Sequence, residues 1–180
     1  MKSAGVLENA DQLKNIMARE ISLAMERRSN QAVYRASAKL SRNLTVEAKA
    51  RDFTFYIDEP ASFGGADKGP NPEEVVLAAV GACQAITAAL YAALLGIEIK
   101  RYEVDLKGYL DLGGFYGTGG GERPTGFERV VCEVVIESDA PAKKLKEFER
   151  MVEERCVGHG TLRTPVAIES HWTINDQRVG

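Results

Sequence analysis

The chain reads as an α+β domain in which a long apolar helix packs on a mostly antiparallel sheet. Three observations lead there. Segments of alternating hydrophobicity fall on both sides of one long apolar run. That run, Val75 to Leu95, is too apolar for a helix with an exposed face. The composition, 44% hydrophobic and 27% charged over 180 residues, is that of one globular domain with a real core. One small sheet cannot cover such a helix. The pattern therefore favours an intimate two-fold dimer in which two of these helices bury each other.

The elements follow in order. Residues 7–29 carry Leu13, Ile16, Met17, Ile21, Ala24 and Met25 at three- and four-residue steps, which predicts an amphipathic helix. Leu23 lies off that stripe. This helix reads as an N-terminal extension over residues 1–30, set before a main domain over 31–180, and as packing across the dimer. After Ser29-Asn30 the period changes. Ala32 to Leu40, Leu44 to Ala50 and Phe53 to Asp58 alternate as strands do. The loop Glu59 to Asn71 is rich in Pro and Gly. Pro72 then opens the apolar helix, with Asn71 as its cap and Glu73 and Glu74 in its first turn. Gly81 is a candidate break in it.

Two further strands are expected at about Ile97 to Leu110 and Phe127 to Ile136. Between them, Gly113 to Gly126 is too glycine-rich for regular structure, a composition that suits a mobile lid. Pro141 starts a helix that runs to Cys156. Residues 156–162 read as a loop, and Val166 to Ile174 as a last strand. There is no internal repeat.

A net charge of −3 and a pI near 5.6 argue against nucleic acid as a partner. Gly81, Gln84, Thr87 and Gly96 interrupt the apolar stretch, so no membrane span is expected. The first residues lack an apolar signal-peptide core. Three cysteines are too few for a disulfide scaffold, and a reducing cytoplasm is the expected compartment.

The chemistry centres on cysteine. An isolated cysteine in an apolar helix is ordinarily a small core residue. Cys83 departs from that in its neighbours: Gly81 and Ala82 leave room for close approach, and Gln84 adds polarity. If Gly81 breaks the helix, Cys83 lies near a new N-terminus whose amides favour the thiolate. Glu73 precedes Cys83 by ten residues. On a continuous helix that is about 15 Å and about 80° of rotation. Either the helix bends at Gly81, Glu73 serves the site of a second subunit, or Glu73 only complements the helix dipole.

Cys156 follows Glu153-Glu154-Arg155 at a helix C-terminus, where acids and the helix end disfavour its thiolate. Cys83 is thus the better nucleophile and Cys156 the better resolving thiol. Cys132, mid-strand, reads as inert packing. Cys156 and His159 have C-x2-H spacing, but no second pair completes a zinc site, so no metal is expected. His159 also reads as a candidate general base for Cys83, and His171 has no evident partner.

These residues resemble the OsmC/Ohr family of thiol-dependent peroxidases, from about Ala32 to Asn175. The resemblance is carried by Gly64-Gly65, Pro70-Asn71-Pro72-Glu73, Ala78-Ala79-Val80-Gly81-Ala82-Cys83 and the block Cys156 to Val166. It implies an OsmC-like intertwined dimer with long helices at its centre and sites at the interface. It implies that Cys83 is the peroxidatic thiol, Cys156 the resolving thiol, and Glu73 the holder of an arginine that polarises thiolate and peroxide. Arg42 fits that arginine by its spacing to Pro60 and Gly64-Gly65, with Arg51 as the fallback. The implied substrate is an organic hydroperoxide and the implied reductant an external dithiol, with no cofactor. Val157 departs from the proline common after the second cysteine. The N-terminal helix and the insert Gly113 to Gly126 are additions to the smallest members. The competing reading is a non-catalytic module that binds or carries a small molecule in the same interface pocket.

Overall fold

A computed structural model describes residues 5–118 and 123–179. Helix α1 spans Ala10–Glu26, inside the predicted bounds. It carries no buried residue and lies against the long helix of its own chain. Strands β1 (Ser37–Arg42), β2 (Thr45–Ala50) and β3 (Phe53–Ile57) form an antiparallel meander. Residues 32–36, predicted as strand, have no regular structure.

Helix α2 runs unbroken from Pro72 to Leu95. Asn71 caps it as predicted: its side chain accepts from the Glu74 amide, and the Glu74 carboxylate accepts from the Asn71 amide, both at 2.9 Å. Such a capping box contributes about 1 kcal/mol. Gly81 does not break the helix. A Cβ there would meet Leu106 Cδ1 at 2.7 Å, so Gly81 is where the next sheet approaches α2. That sheet is β4 (Arg101–Tyr109) paired antiparallel with β5 (Arg129–Glu137).

Between β4 and β5 the glycine-rich segment contains a short helix, α3 (Leu112–Tyr116), where irregular chain is predicted. Asp111 caps it through the Gly113 amide and pairs with Arg123. Residues 119–122 of the predicted lid lie outside the described residues. Helix α4 (Ala142–Arg155) follows, and then α5 (Val157–Arg163), a helix where a loop is predicted. The predicted last strand is instead a small hairpin, β6 (Trp172–Ile174) and β7 (Gln177–Val179). In it, Arg178 reaches His171 Nδ1 at 3.2 Å.

The fold is therefore α+β with antiparallel sheets, as predicted. Its core lies where α2, α4 and β4 meet: Ala88, Ala92, Ile97, Ile99, Phe148 and Val152. Burying a side chain such as Phe148 is worth about 1.5–3 kcal/mol. By length and composition α2 would pass for a membrane span, against the expectation from its interruptions. Its packing marks it as a core helix, because Gln84 is buried against α4 and Gly81 against β4. Yet only 22% of its most apolar stretch is buried within the chain. The β1–β3 sheet is likewise exposed, Phe53 at 63% and Leu40 at 65%.

One carboxylate shapes the approach to α2. Asp58 is buried and accepts from Thr45 Oγ1 and the Glu59 amide, both at 2.9 Å, and from the amides of Ala66 and Lys68. Burial pushes its carboxyl up, but these four donors together outweigh it and hold the pKa below the ordinary value. The chain folds back tightly here, and a Cβ on Gly65 would overlap the Glu59 carbonyl. Because the folded value lies below the unfolded one near 3.9, the contribution is complete above that value. It is lost as the pH falls through the lower, folded value. Asp58→Asn is expected to lower the melting temperature at neutral pH and to flatten its fall on acidification. Thermal melts at about pH 7 and about pH 3 check this, and equal melting temperatures of variant and parent at neutral pH would refute it.

Candidate active site

Cys83 lies on the twelfth position of α2, far from either end. The helix-terminus argument for its thiolate therefore fails with the break at Gly81. The polar contact to Cys83 comes from α5 instead. The Gly158 amide donates to Cys83 Sγ at 3.2 Å. Cys156 neighbours Cys83, whose thiol pushes the Cys156 thiol up. The backbone amides of His159 and Gly158 act the other way and draw the Cys156 thiol down. The start of α5 therefore brings one amide donor to Cys83 and sets Cys156 beside it.

The approach depends on Gly158. A Cβ there would lie 3.2 Å from both Cys83 Cβ and Val80 Cα. No larger residue lets α5 come this close to α2. Cys83 is half-buried and Cys156 fully buried. Burial is the main reason the Cys156 thiol lies above its ordinary pKa, and the neighbouring Cys83 thiol adds to it. The direction agrees with the sequence reading, but the cause differs. Glu153 faces His159 and Arg163, and neither Glu153 nor Glu154 is what raises the thiol.

Cys132 is more than packing. Its thiol donates to Gln84 Oε1 at 3.0 Å, and Gln84 Nε2 donates to Glu153 Oε1 at 3.2 Å. Burial pushes the Cys132 thiol up, with the charge of Glu153 adding to it. His159 turns Nδ1 to Glu153 Oε2 at 3.2 Å, and among the described residues its ring makes no hydrogen bond to Cys83. Among the described residues, no group of three His, Cys, Asp or Glu side chains is placed to hold a metal.

The charged members of the expected site stand apart from the thiols. Glu73 is exposed in the first turn of α2, ten residues before Cys83 on one continuous helix. It lies near Glu59, whose carboxyl is pushed up by burial and then by the charges of Glu73 and Glu74. Arg42 ends β1, paired with Thr45 at an exposed turn. Among the described residues, no ion pair joins Arg42 to Glu73 or to any other carboxylate. Arg51 stacks over Phe53 at 5.1 Å. Two clefts accompany the thiols without containing them. One of about 460 Å³ runs along α2 beside Gly81 and Leu106. The other, of about 520 Å³, lies between α4 and the β4–β5 sheet, beside Tyr102 and Cys132.

Over residues 65–171 the sequence matches the family described as OsmC-like protein. Glu73, Cys83 and Cys156 fall inside that span and Arg42 outside it. The chain is 28% identical over 129 residues to a Mycoplasma genitalium protein named hydroperoxide reductase, a match covering 72% of this chain and 86% of that one. It resembles the crystal structure of an OsmC-like protein from Mycoplasma pneumoniae with a TM-score of 0.64 and 25% identity, over 74% of this chain and 89% of that one. An organic hydroperoxide resistance protein from Legionella pneumophila shares the fold, with a TM-score of 0.55 and 18% identity over 75% and 92% of the two chains.

Gly158→Ala tests the contact between α2 and α5. Helix propensity alone would stabilise the variant by about 1 kcal/mol. Overpacking against the Val80 backbone, which cannot yield as a side chain can, costs about 1–3 kcal/mol. Net destabilisation in urea melts is the expected result, together with slower formation of a Cys83–Cys156 disulfide under diamide. A variant more stable than its parent would show that α5 does not press on α2.

Proposed function

The chain belongs to the OsmC-like protein family, and from that membership we propose that it reduces organic hydroperoxides through paired thiols. The family and the relative named hydroperoxide reductase support a peroxidase-like role. The observation that carries the finer reading is the Gly158 amide donating to Cys83 at 3.2 Å, from the helix that starts at the neighbouring Cys156. A core cysteine needs neither a second thiol nor a backbone donor aimed at its sulfur.

In the proposed cycle the Cys83 thiolate attacks one oxygen of the peroxide. The O–O bond breaks, the alkoxide leaves and takes a proton, and Cys83 becomes a sulfenic acid. The Cys156 thiolate then attacks the Cys83 sulfur. The S–S bond forms, the S–O bond breaks, and the departing hydroxide takes a proton to become water. An external dithiol reduces the disulfide, and no cofactor is invoked. Such a cycle suits a reducing compartment such as the cytoplasm.

The developing alkoxide needs a cation, and we assign that role to Arg42 aimed by Glu73, acting on the thiols of a second copy. Three observations support an intertwined dimer. Glu73 is about 15 Å along the helix from its own Cys83. Arg42 has no carboxylate partner among the described residues. Much apolar surface stands exposed: most of α2, the β1–β3 sheet, Tyr34 at 93% and Trp172 at 67%. The groove along α2 is where the second copy's helix would lie.

Cys83→Ser is expected to abolish consumption of cumene hydroperoxide with a dithiol reductant. Cys156→Ser is expected to give one turnover and then hold Cys83 as a sulfenic acid that dimedone traps. Since burial raises the Cys156 thiol, the disulfide-forming step in the parent should speed up from about pH 7 to about pH 9. Full turnover by Cys83→Ser would end this reading, and a parent that consumes no peroxide and forms no Cys83–Cys156 disulfide on oxidation would favour a binding module.

A further inference from the structure

Glu153 is a residue that the peroxide chemistry does not use, yet three side chains from two elements converge on it. From α5, Arg163 donates to Glu153 Oε2 at 2.6 Å and to the Glu153 backbone carbonyl at 2.9 Å. His159, buried on the same helix, brings Nδ1 within 3.2 Å of Oε2. From α2, Gln84 donates to Oε1 at 3.2 Å. Gln84 is fully buried and follows Cys83 directly in the chain. Its amide is itself oriented, because the Cys132 thiol donates to its oxygen and leaves its nitrogen for Glu153. Glu153 lies three residues before Cys156, so its carboxylate spans the junction between α4 and α5.

We propose that Glu153 is the positioning residue that sets the separation of Cys156 from Cys83. The proposal rests on the reading of Cys83 as attacking and Cys156 as resolving thiol. The physical case is one of rigidity. Helix α5 has seven residues and two glycines, Gly158 and Gly160. So short a helix is not stable by propensity, and each glycine weakens it by about a further 1 kcal/mol. Tertiary contacts must hold it. Arg163 closes its C-terminal end on Glu153 with one charge-assisted and one backbone contact. His159 fixes its middle, and Gln84 ties the same carboxylate to the turn of α2 that carries Cys83. Without the Glu153 side chain the seven residues lose their polar tie to α4 and α2 and are left with the packing at Gly158 and the bond of Arg163 to the backbone carbonyl. Cys156 and the Gly158 amide then drift from Cys83. Bringing two groups into contact is worth large factors in rate, and a 1 Å misplacement can cost on the order of a hundredfold.

The test compares two rates in the full chain. The first is closure of the Cys83–Cys156 disulfide by diamide, which takes two electrons from the thiols and is reduced to the hydrazine. It is followed by peptide mapping of the linked pair. The second is alkylation of Cys83 by iodoacetamide, which reports the local fold without needing Cys156. Glu153→Ala is expected to slow closure on the order of tenfold and leave alkylation within about twofold. Glu153→Gln keeps an acceptor for Arg163 and should recover much of the closure rate. Closure by Glu153→Ala at the parent rate overturns the proposal. So does a parallel change in closure and alkylation, which would mark a merely structural role. If Glu153→Ala does not fold, Arg163→Lys carries the test, since it breaks the two-point clamp and leaves the carboxylate. Its closure is expected to slow by a smaller factor, and parental closure would overturn the proposal. A parallel exposure of the parent to cumene hydroperoxide judges the peroxidase reading separately. Failure of Cys83 to oxidise there ends that reading, while the diamide rates still decide the role of Glu153.

Discussion

Helix α2 has to be covered, and most of the architecture answers that need. Its side chains from Val75 to Leu95 are nearly all apolar, and water is a poor neighbour for them. The chain covers one stripe, and does so with close approaches rather than bulk. Gly81 admits Leu106 from β4, and Gly158 of α5 lies against Val80 and Cys83. Ala88 and Ala92 admit α4 with Phe148 and Val152. Polar groups enter this seam only as a connected set. Gln84 is satisfied at both ends, by Cys132 and by Glu153, so its burial leaves no donor or acceptor unmet. The thiol pair is a by-product of the same packing. Cys83 meets Cys156 because Gly158 lets α5 descend onto α2.

Much of this is legible in the sequence, and the parts that are not have physical causes. The start of α2 can be read from Asn71-Pro72-Glu73-Glu74, since capping is local chemistry. The first five strands can be read from alternation, with errors confined to their ends, whereas the last is read as one strand where a hairpin forms. Helix α5 cannot be read. Its glycines predict a loop, and what holds it is Arg163 on Glu153, a contact ten residues away in sequence. The Cys83–Cys156 pair is suggested by resemblance, but the donor between them, Gly158, is invisible until α5 is seen to be helical. Gly81 shows the opposite error. Reading it as a break follows glycine's helix propensity, whereas it serves an approach by β4 that no local pattern encodes. The hydrogen bond of Cys132 to Gln84 cannot be read either, because the two are distant in sequence.

The charged residues behave differently from the sulfurs, and the difference is itself informative. The two thiols, their amide donors and the Glu153 network are assembled within one chain. Arg42 and Glu73 are not. They sit on exposed surface, on elements that bury little: the β1–β3 meander and the uncovered first turns of α2. A thiolate attacking a peroxide develops charge on the leaving oxygen, and backbone amides alone stabilise it less than a guanidinium does. In the proposed dimer one event meets both requirements. Covering the free face of α2 with a second copy removes apolar surface from water and supplies the cation the thiols lack. Folding and catalysis would then depend on the same contact. A variant that weakens the helix pairing should lose turnover before it loses the Cys83–Cys156 geometry, because that geometry is internal to the chain.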